Sequence, residues 1–144
     1  MNQLGKVGTQ MIVPYRCEEM AVRHLRPMGD LGQVVPMAFD PYDYESIKGV
    51  MAHCNVVINL TGKHFETMNW NWQNVHCDLP EAMAMAAAEE GIETFIHMSA
   101  LGADADSSSK LMRSKAAGEK AVLAALPTAT IFRPAPIIGA PAPV

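Results

Sequence analysis

FIHMSALGADADSSSKLMRSKAAGEKAV, residues Phe95–Val122, decides how this sequence is read. Its first residues, Phe95–Met98, form a short apolar run of strand character, and Ser99 stands at the carboxyl end of that run. An Asp/Ser-rich loop follows, then a helical pattern over Ser108–Ala125 that carries Lys115. Leu111, Lys115, Gly118 and Val122 share one face of that helix by the i, i+4, i+7 rule. A serine at a strand end facing a lysine on the next helix is half of an oxidoreductase active site. The other half would be a tyrosine one turn before the lysine, moving a proton while the lysine lowers its pKa. Leu111 fills that place, and no tyrosine occurs after Tyr44.

Outward from this stretch, strand-like and helix-like patterns alternate. Met1–Val7 reads as the last turns of a helix closed by Gly8 in the left-handed region. Thr9–Tyr15 is a strand whose Pro14 limits it to an end or an edge. A short helical segment ends near Gly29, and Gln33–Phe39 is the next strand, with Asp40 just beyond it. Tyr44–His53 is a helix, for which Asp43 is a better N-cap than Ser46. Asn55–Leu60 is a continuous apolar, β-branched run, the pattern of a strand covered on both faces. A polar loop bearing Trp70 and Trp72 (Lys63–Asn74) leads to an alanine-rich helix with Leu79, Met83, Ala86 and Glu90 at helical spacing, which Gly91 ends. The final strand is Ala129–Phe132, closed by Arg133-Pro134, and the proline-rich APIIGAPAPV reads as irregular.

This alternation argues an α/β fold, a parallel sheet wound with helices on both faces. Ligands of such sheets lie at the carboxyl ends of the strands. Here those ends are Tyr15-Arg16, Asp40, Leu60-Thr61-Gly62, Ser99-Ala100 and Arg133-Pro134. Gly62 would let a ligand approach the backbone closely, or it is a plain strand-to-loop glycine. Arg16 stands where an acid would hold a ribose 2′-hydroxyl, and an arginine there suits a 2′-phosphate; a solvated surface arginine is the competing reading. Asp40 could accept a hydrogen bond from an adenine amino group. His97, inside a strand, reads as a satisfied structural histidine.

Composition excludes other classes. The chain has 144 residues, 49% of them apolar and 18% charged, with a net charge of −4. That is an ordinary globular composition at the scale of at most one domain, and it lacks the basic footprint of a nucleic-acid binder. No apolar run approaches the ~18–20 residues that span a bilayer. MNQLGKVG, at the start, has no apolar run of signal-peptide type. Cys17, Cys54 and Cys77 show no C-x-x-C pairing, which argues against a zinc site or a disulfide framework.

NLTG (59–62), IHMS (96–99), SSSKLMRSKAAGEK (107–120) and RPAPIIG (133–139) together resemble the short-chain dehydrogenase family in its atypical branch. With VPYRC (13–17), HLRPMGDLGQ (24–33) and NVVINLTG (55–62), the resemblance narrows to the nucleotide-binding accessory subunits of mitochondrial respiratory complex I. It covers the chain to about Gly139, hence a partial NADP-binding Rossmann-like domain over residues 1–139 and an irregular tail over 140–144. What the resemblance implies is a structural subunit without turnover. It would hold NADP(H), among other complex I subunits on the matrix side of the inner membrane, near the junction of the two arms. Arg16 would take the 2′-phosphate side, Asp40 the adenine, and Leu60, Thr61 and Gly62 the ribose and pyrophosphate. Ser99 and Lys115 would face the nicotinamide end, with Pro134 behind it.

Two departures shape the expectation. Leu111 replaces the proton-transferring tyrosine, whose loss typically lowers a rate by ~10²–10⁴. The family's first strand and its G-x-x-G-x-x-G phosphate loop are missing, because Met1 falls inside the helix that should follow them. In the order 3-2-1-4-5-6 that strand is central. The sequence is therefore expected to belong to a longer subunit, or to take the strand from another polypeptide, and strands 9–15 and 55–60 are expected not to pair with each other. Two other functions compete: a free-standing NADPH-dependent reductase or epimerase, which needs a proton-transfer residue near Lys115, and a nucleotide sensor, which needs an intact Gly-rich loop.

Overall fold

The computed structural model describes residues 1–137, and the chain divides into two compact units, Met1–Cys54 and Asn55 onward. In the first unit, helix α1 (Asn2–Lys6) leads through Gly8 to strand β1 (Met11–Tyr15). Helix α2 (Glu19–Val22) runs on into a 3₁₀ segment, Arg23–Met28, which ends at Gly29. Strand β2 (Val34–Ala38) pairs parallel with β1, from Met11 opposite Val34 to Tyr15 opposite Ala38. Helix α3 (Tyr44–Met51) starts where Asp43 accepts the Glu45 N–H, and buries Ile47, Val50 and Met51.

In the second unit, strands β3 (Val56–Asn59), β4 (Thr94–Met98) and β5 (Thr130–Phe132) form a parallel sheet in the order β3-β4-β5. Between β3 and β4 the chain makes a π-helical turn, Asn74–Asp78, that continues into helix α4 (Leu79–Glu89), closed by Gly91 at φ +67°. Helix α5 (Lys110–Ala125) joins β4 to β5 and packs on both α4 and the π turn. Phe95, Val122, Ala84, Ala86 and Ala87 are almost fully buried and form the heart of this core.

Each pair is parallel and joins strands separated by a helical crossover, as a wound parallel sheet requires: β1 with β2 in the first unit, and β3 with β4 and β4 with β5 in the second. Among the described residues no ladder joins β1 to β3.

The sequence reading needs one correction here. β3 was expected to be covered on both faces, but Val56 and Ile58 are 44% and 46% exposed, whereas Asn59 is buried. β-branched residues mark a strand because they suit pleated backbone; they carry no information about what lies over each face. Register makes the pattern consistent: Val56 and Ile58 stand opposite Thr94 and Ile96, on the face away from buried Phe95 and His97. The tail expected over 140–144, and the last two residues of the domain expected over 1–139, lie outside the described residues.

α5 can approach the π turn because residue 118 has no side chain. A Cβ at Gly118 would lie 1.7 Å from the His76 carbonyl oxygen, which is backbone and cannot swing aside. Gly118→Ala is therefore expected to destabilise the fold by at least about 2 kcal/mol in urea unfolding, through forced separation of α5 from the turn. Gly49→Ala, inside α3 with nothing within 4 Å of the new Cβ, serves as the control. It should stabilise by about 0.5–1 kcal/mol, because alanine loses less backbone freedom in a helix.

Candidate functional site

β3, β4 and β5 end side by side, and their carboxyl ends open into a cavity of about 340 Å³. Six of the eight residues singled out from sequence line it: Leu60, Thr61 and Gly62 after β3, Ser99 after β4, Pro134 after β5, and Lys115 from α5. Leu111 lines it as well. The ladder between β4 and β5 continues past the strands, with the Ser99 N–H donating to Phe132 O at 2.7 Å and Leu101 N–H to Pro134 O at 3.0 Å. That continuation sets Ser99 beside Pro134.

The remaining two, Arg16 and Asp40, lie in the first unit on a separate, shallower cavity of about 300 Å³, together with Tyr15, Cys17 and Ser46. Asp40 has local duties: its carboxylate accepts the Tyr42 N–H, and its own N–H donates to Ser46 Oγ. Ser46, passed over as a cap, thus orders the loop after β2.

In the larger cavity, Lys115 Nζ lies 3.5 Å from the Met98 carbonyl and 3.2 Å from where a Cβ of Gly62 would stand. Glycine at 62 is what leaves room for the ammonium. Burial lowers the pKa of Lys115, and the Glu119 carboxylate works against that shift. Glu119 is itself buried. Burial pushes its carboxyl up, but the Arg133 fork outweighs this and holds it below its usual range. Arg133 Nε donates to both Glu119 oxygens at 2.9 and 3.2 Å, and its terminal nitrogen closes the fork. Ser99 Oγ is buried without a hydrogen bond of ordinary geometry, yet it faces Glu119 closely enough to favour the carboxylate charge.

Sequence reasoning missed the groups that hold the cavity wall. Asn59 Oδ1 accepts from the Thr61 N–H at 3.0 Å and from the Thr61 hydroxyl, and its Nδ2 lies 3.1 Å from His97 Nδ1. Since the Asn59 oxygen is committed to Thr61, its amide nitrogen must donate to His97, and the imidazole proton sits on Nε2. That Nε2 is buried and, among the described residues, has no partner, so within them the histidine expected to be satisfied is satisfied on one side. A polar asparagine at the end of an apolar run was the available signal for this network; nothing in local sequence marked Glu119 or His76.

The buried imidazoles make stability depend on pH. Burial, followed by the Lys115 ammonium, lowers His76 to about 4, and the same two causes lower His97 to about 4. An unfolded-chain histidine titrates near about 6.5. Between these values the unfolded chain binds protons that the folded chain excludes, so stability rises with pH across that window and is fully present above it. Urea unfolding from about pH 7 down to about pH 4.5 should show stability falling, by at most about 3 kcal/mol per histidine. A flat profile over that range would mean the imidazoles are not held neutral.

No family model matches this chain. Its relatives are nevertheless clear. It is 53% identical to the mitochondrial NADH dehydrogenase [ubiquinone] 1 alpha subcomplex subunit 9 of Arabidopsis thaliana, over 96% of this chain and 35% of that protein. Against the same subunit of Mus musculus it is 48% identical, over 96% of this chain and 37% of that one. Among solved structures, a putative NAD-dependent epimerase/dehydratase from Bacillus halodurans superposes at a TM-score of 0.76 and 20% identity, over 94% of this chain and 63% of that one. Citrobacter triphenylmethane reductase complexed with NADP(H) does so at 0.64 and 18%, over 85% and 39%. These likenesses establish a Rossmann-type α/β fold, here a partial Rossmann domain. Over nearly its whole length this chain is similar to the mitochondrial NADH dehydrogenase alpha subcomplex subunit 9 proteins, and it spans about a third of the length of those relatives.

Proposed function

We propose that this chain forms part of a non-catalytic accessory subunit of mitochondrial complex I and that it contributes to holding NADP(H). The observation that carries this reading is the cavity at the ends of β3, β4 and β5. It joins Lys115, Ser99 and an open glycine to a leucine at the position where proton transfer would need a tyrosine. The residues present suit the group. A buried hydroxyl and an ammonium beside a glycine without obstruction match a ribose bearing hydroxyls, and the cavity is within the usual range of small-ligand sites, about 300–1,000 Å³.

In this reading, Lys115 and Ser99 bind the nicotinamide riboside, Pro134 bounds that end, and Leu60, Thr61 and Gly62 meet ribose and pyrophosphate. The first unit's own cavity, with Arg16 and Asp40, by itself suits recognition of a 2′-phosphate and an adenine. A bound dinucleotide could supply hydride chemistry. The chain's part is to bind and orient, since Leu111 has no proton to give or take. The subunit 9 relatives, mitochondrial by name, support assembly with other complex I subunits; a matrix-side place near the arm junction is the further part of this proposal. No helix among the described residues is long and apolar enough to cross a membrane, which suits a peripheral position.

Solubilised mitochondria run on a native gel with peptide mapping are expected to place this chain's peptides in the complex I band. Peptides found solely in a small soluble species would overturn the reading. For the cofactor, Lys115→Ala should weaken NADPH binding by roughly tenfold, the net worth of a hydrogen bond from a charged group. Nucleotide fluorescence titration reads this directly.

A further inference from the structure

The wall of the cavity after β3, residues 60–64, belongs to no strand or helix, so its backbone amides depend on side chains for partners. Thr61 N–H goes to Asn59. Lys63 N–H goes to His76 Nε2, at 3.2 Å. The other side of the imidazole, Nδ1, lies 2.9 Å from Ser114 Oγ, and that hydroxyl lies 2.7 Å from the Leu111 carbonyl. A carbonyl only accepts, so Ser114 donates its proton to Leu111 and must accept from His76. The proton of the neutral imidazole is therefore on Nδ1, which leaves Nε2 free to accept from Lys63. The chain runs one way: Lys63 N–H to His76, His76 to Ser114, Ser114 to the Leu111 carbonyl. Every link is satisfied in a single tautomer.

We infer that His76 is a positioning residue, clasping the cavity wall to helix α5 so that Gly62 and Lys115 stay in the register an incoming dinucleotide meets. This rests on the nucleotide-holding reading above. Geometry makes the clasp stiff at both ends. The His76 backbone is held by the π turn, against which α5 sits without an intervening side chain at Gly118. Such turns insert one extra residue into a helix and re-aim the side chains they carry. The serine is one residue before Lys115 on α5, so a shift of the wall and a shift of the lysine are mechanically linked. The charged and titratable groups facing the ring are Lys115, His97 and His64. Burial first, and the ammonium after it, keep the ring neutral, and only a neutral ring can accept from Lys63.

The test uses the whole chain and three variants: Ser114→Ala, which deletes the middle link with one hydroxyl; Ser114→Thr, which restores it; and His76→Phe, which keeps the ring without its nitrogens. Two measurements are made, amide hydrogen exchange at Lys63 by NMR without nucleotide, and NADPH binding by fluorescence. In Ser114→Ala, Lys63 should exchange roughly tenfold faster while amides of β4 are unchanged, and NADPH should bind roughly tenfold more weakly. Ser114→Thr should return both to the parent values. His76→Phe should match or exceed Ser114→Ala where it folds, and Ser114→Ala decides the matter where it does not. Unchanged Lys63 exchange in Ser114→Ala would overturn the clasp, and loosened exchange with NADPH affinity intact would overturn its role in positioning Gly62 and Lys115. If the parent chain binds no NADPH, the nucleotide-holding reading falls with its register role, while Lys63 exchange still decides whether the clasp exists.

Discussion

The second unit is organised by a place where two pieces of backbone touch. Gly118 of α5 meets the His76 carbonyl with no room for even a methyl group. Because the helix seats there, the residues on its inner face are delivered to fixed heights along the sheet. Lys115, one turn earlier, comes to the Met98 carbonyl and the open side of Gly62. Glu119, one residue later, comes under β5 within reach of Arg133. Val122, one turn further, enters the core fully buried. A helix held a few ångströms further out would present the same side chains in the same order and assemble none of these contacts.

The electrostatics follow from the same seating. Burial bears on two imidazoles, one ammonium and one carboxylate in a small volume, and each resolves it differently. The imidazoles stay neutral because burial disfavours their charged form and the lysine is close. The carboxylate stays charged because a guanidinium reaches it with two donors, an arrangement in which removing one partner would strand a buried charge. Among the described residues, the lysine has a carbonyl and a nearby carboxylate to offset its desolvation, so its proton is less firmly held than that of a surface lysine. A polar molecule entering the cavity would give the ammonium further acceptors.

Much of this was legible in the sequence. The alternation of strand and helix, the Asp43 cap, the turns at Gly8 and Gly91 and the convergence of Leu60–Gly62, Ser99, Lys115 and Pro134 all follow from local patterns. Strand ends in a parallel sheet converge by topology alone. What was not legible depends on packing. The π turn at Asn74–Asp78 has no compositional signature, because it exists to accommodate a neighbour rather than to express a propensity. His76 looks like one of several scattered histidines until the turn aims it. The exposed face of β3 is a property of what lies over Val56 and Ile58, which a run of apolar residues does not encode. Arg16 and Asp40 share a cavity built on β1 and β2 in the first compact unit, which their separate places in the sequence did not reveal.

On the proposed reading, Leu111 is where the site keeps its architecture without proton-transfer chemistry. The residue lines the cavity, and its side chain can offer only apolar surface there. Its backbone carbonyl, meanwhile, receives the Ser114 hydroxyl and so terminates the hydrogen-bond chain that begins at Lys63. A carbonyl is common to every residue type, so exchanging the side chain at 111 leaves that terminus intact. Proton-transfer chemistry and a firmly held wall thus depend on different atoms of one residue. On the proposed reading, the first could lapse without disturbing the second, and a subunit that holds its nucleotide without turning it over is the natural product of that separation.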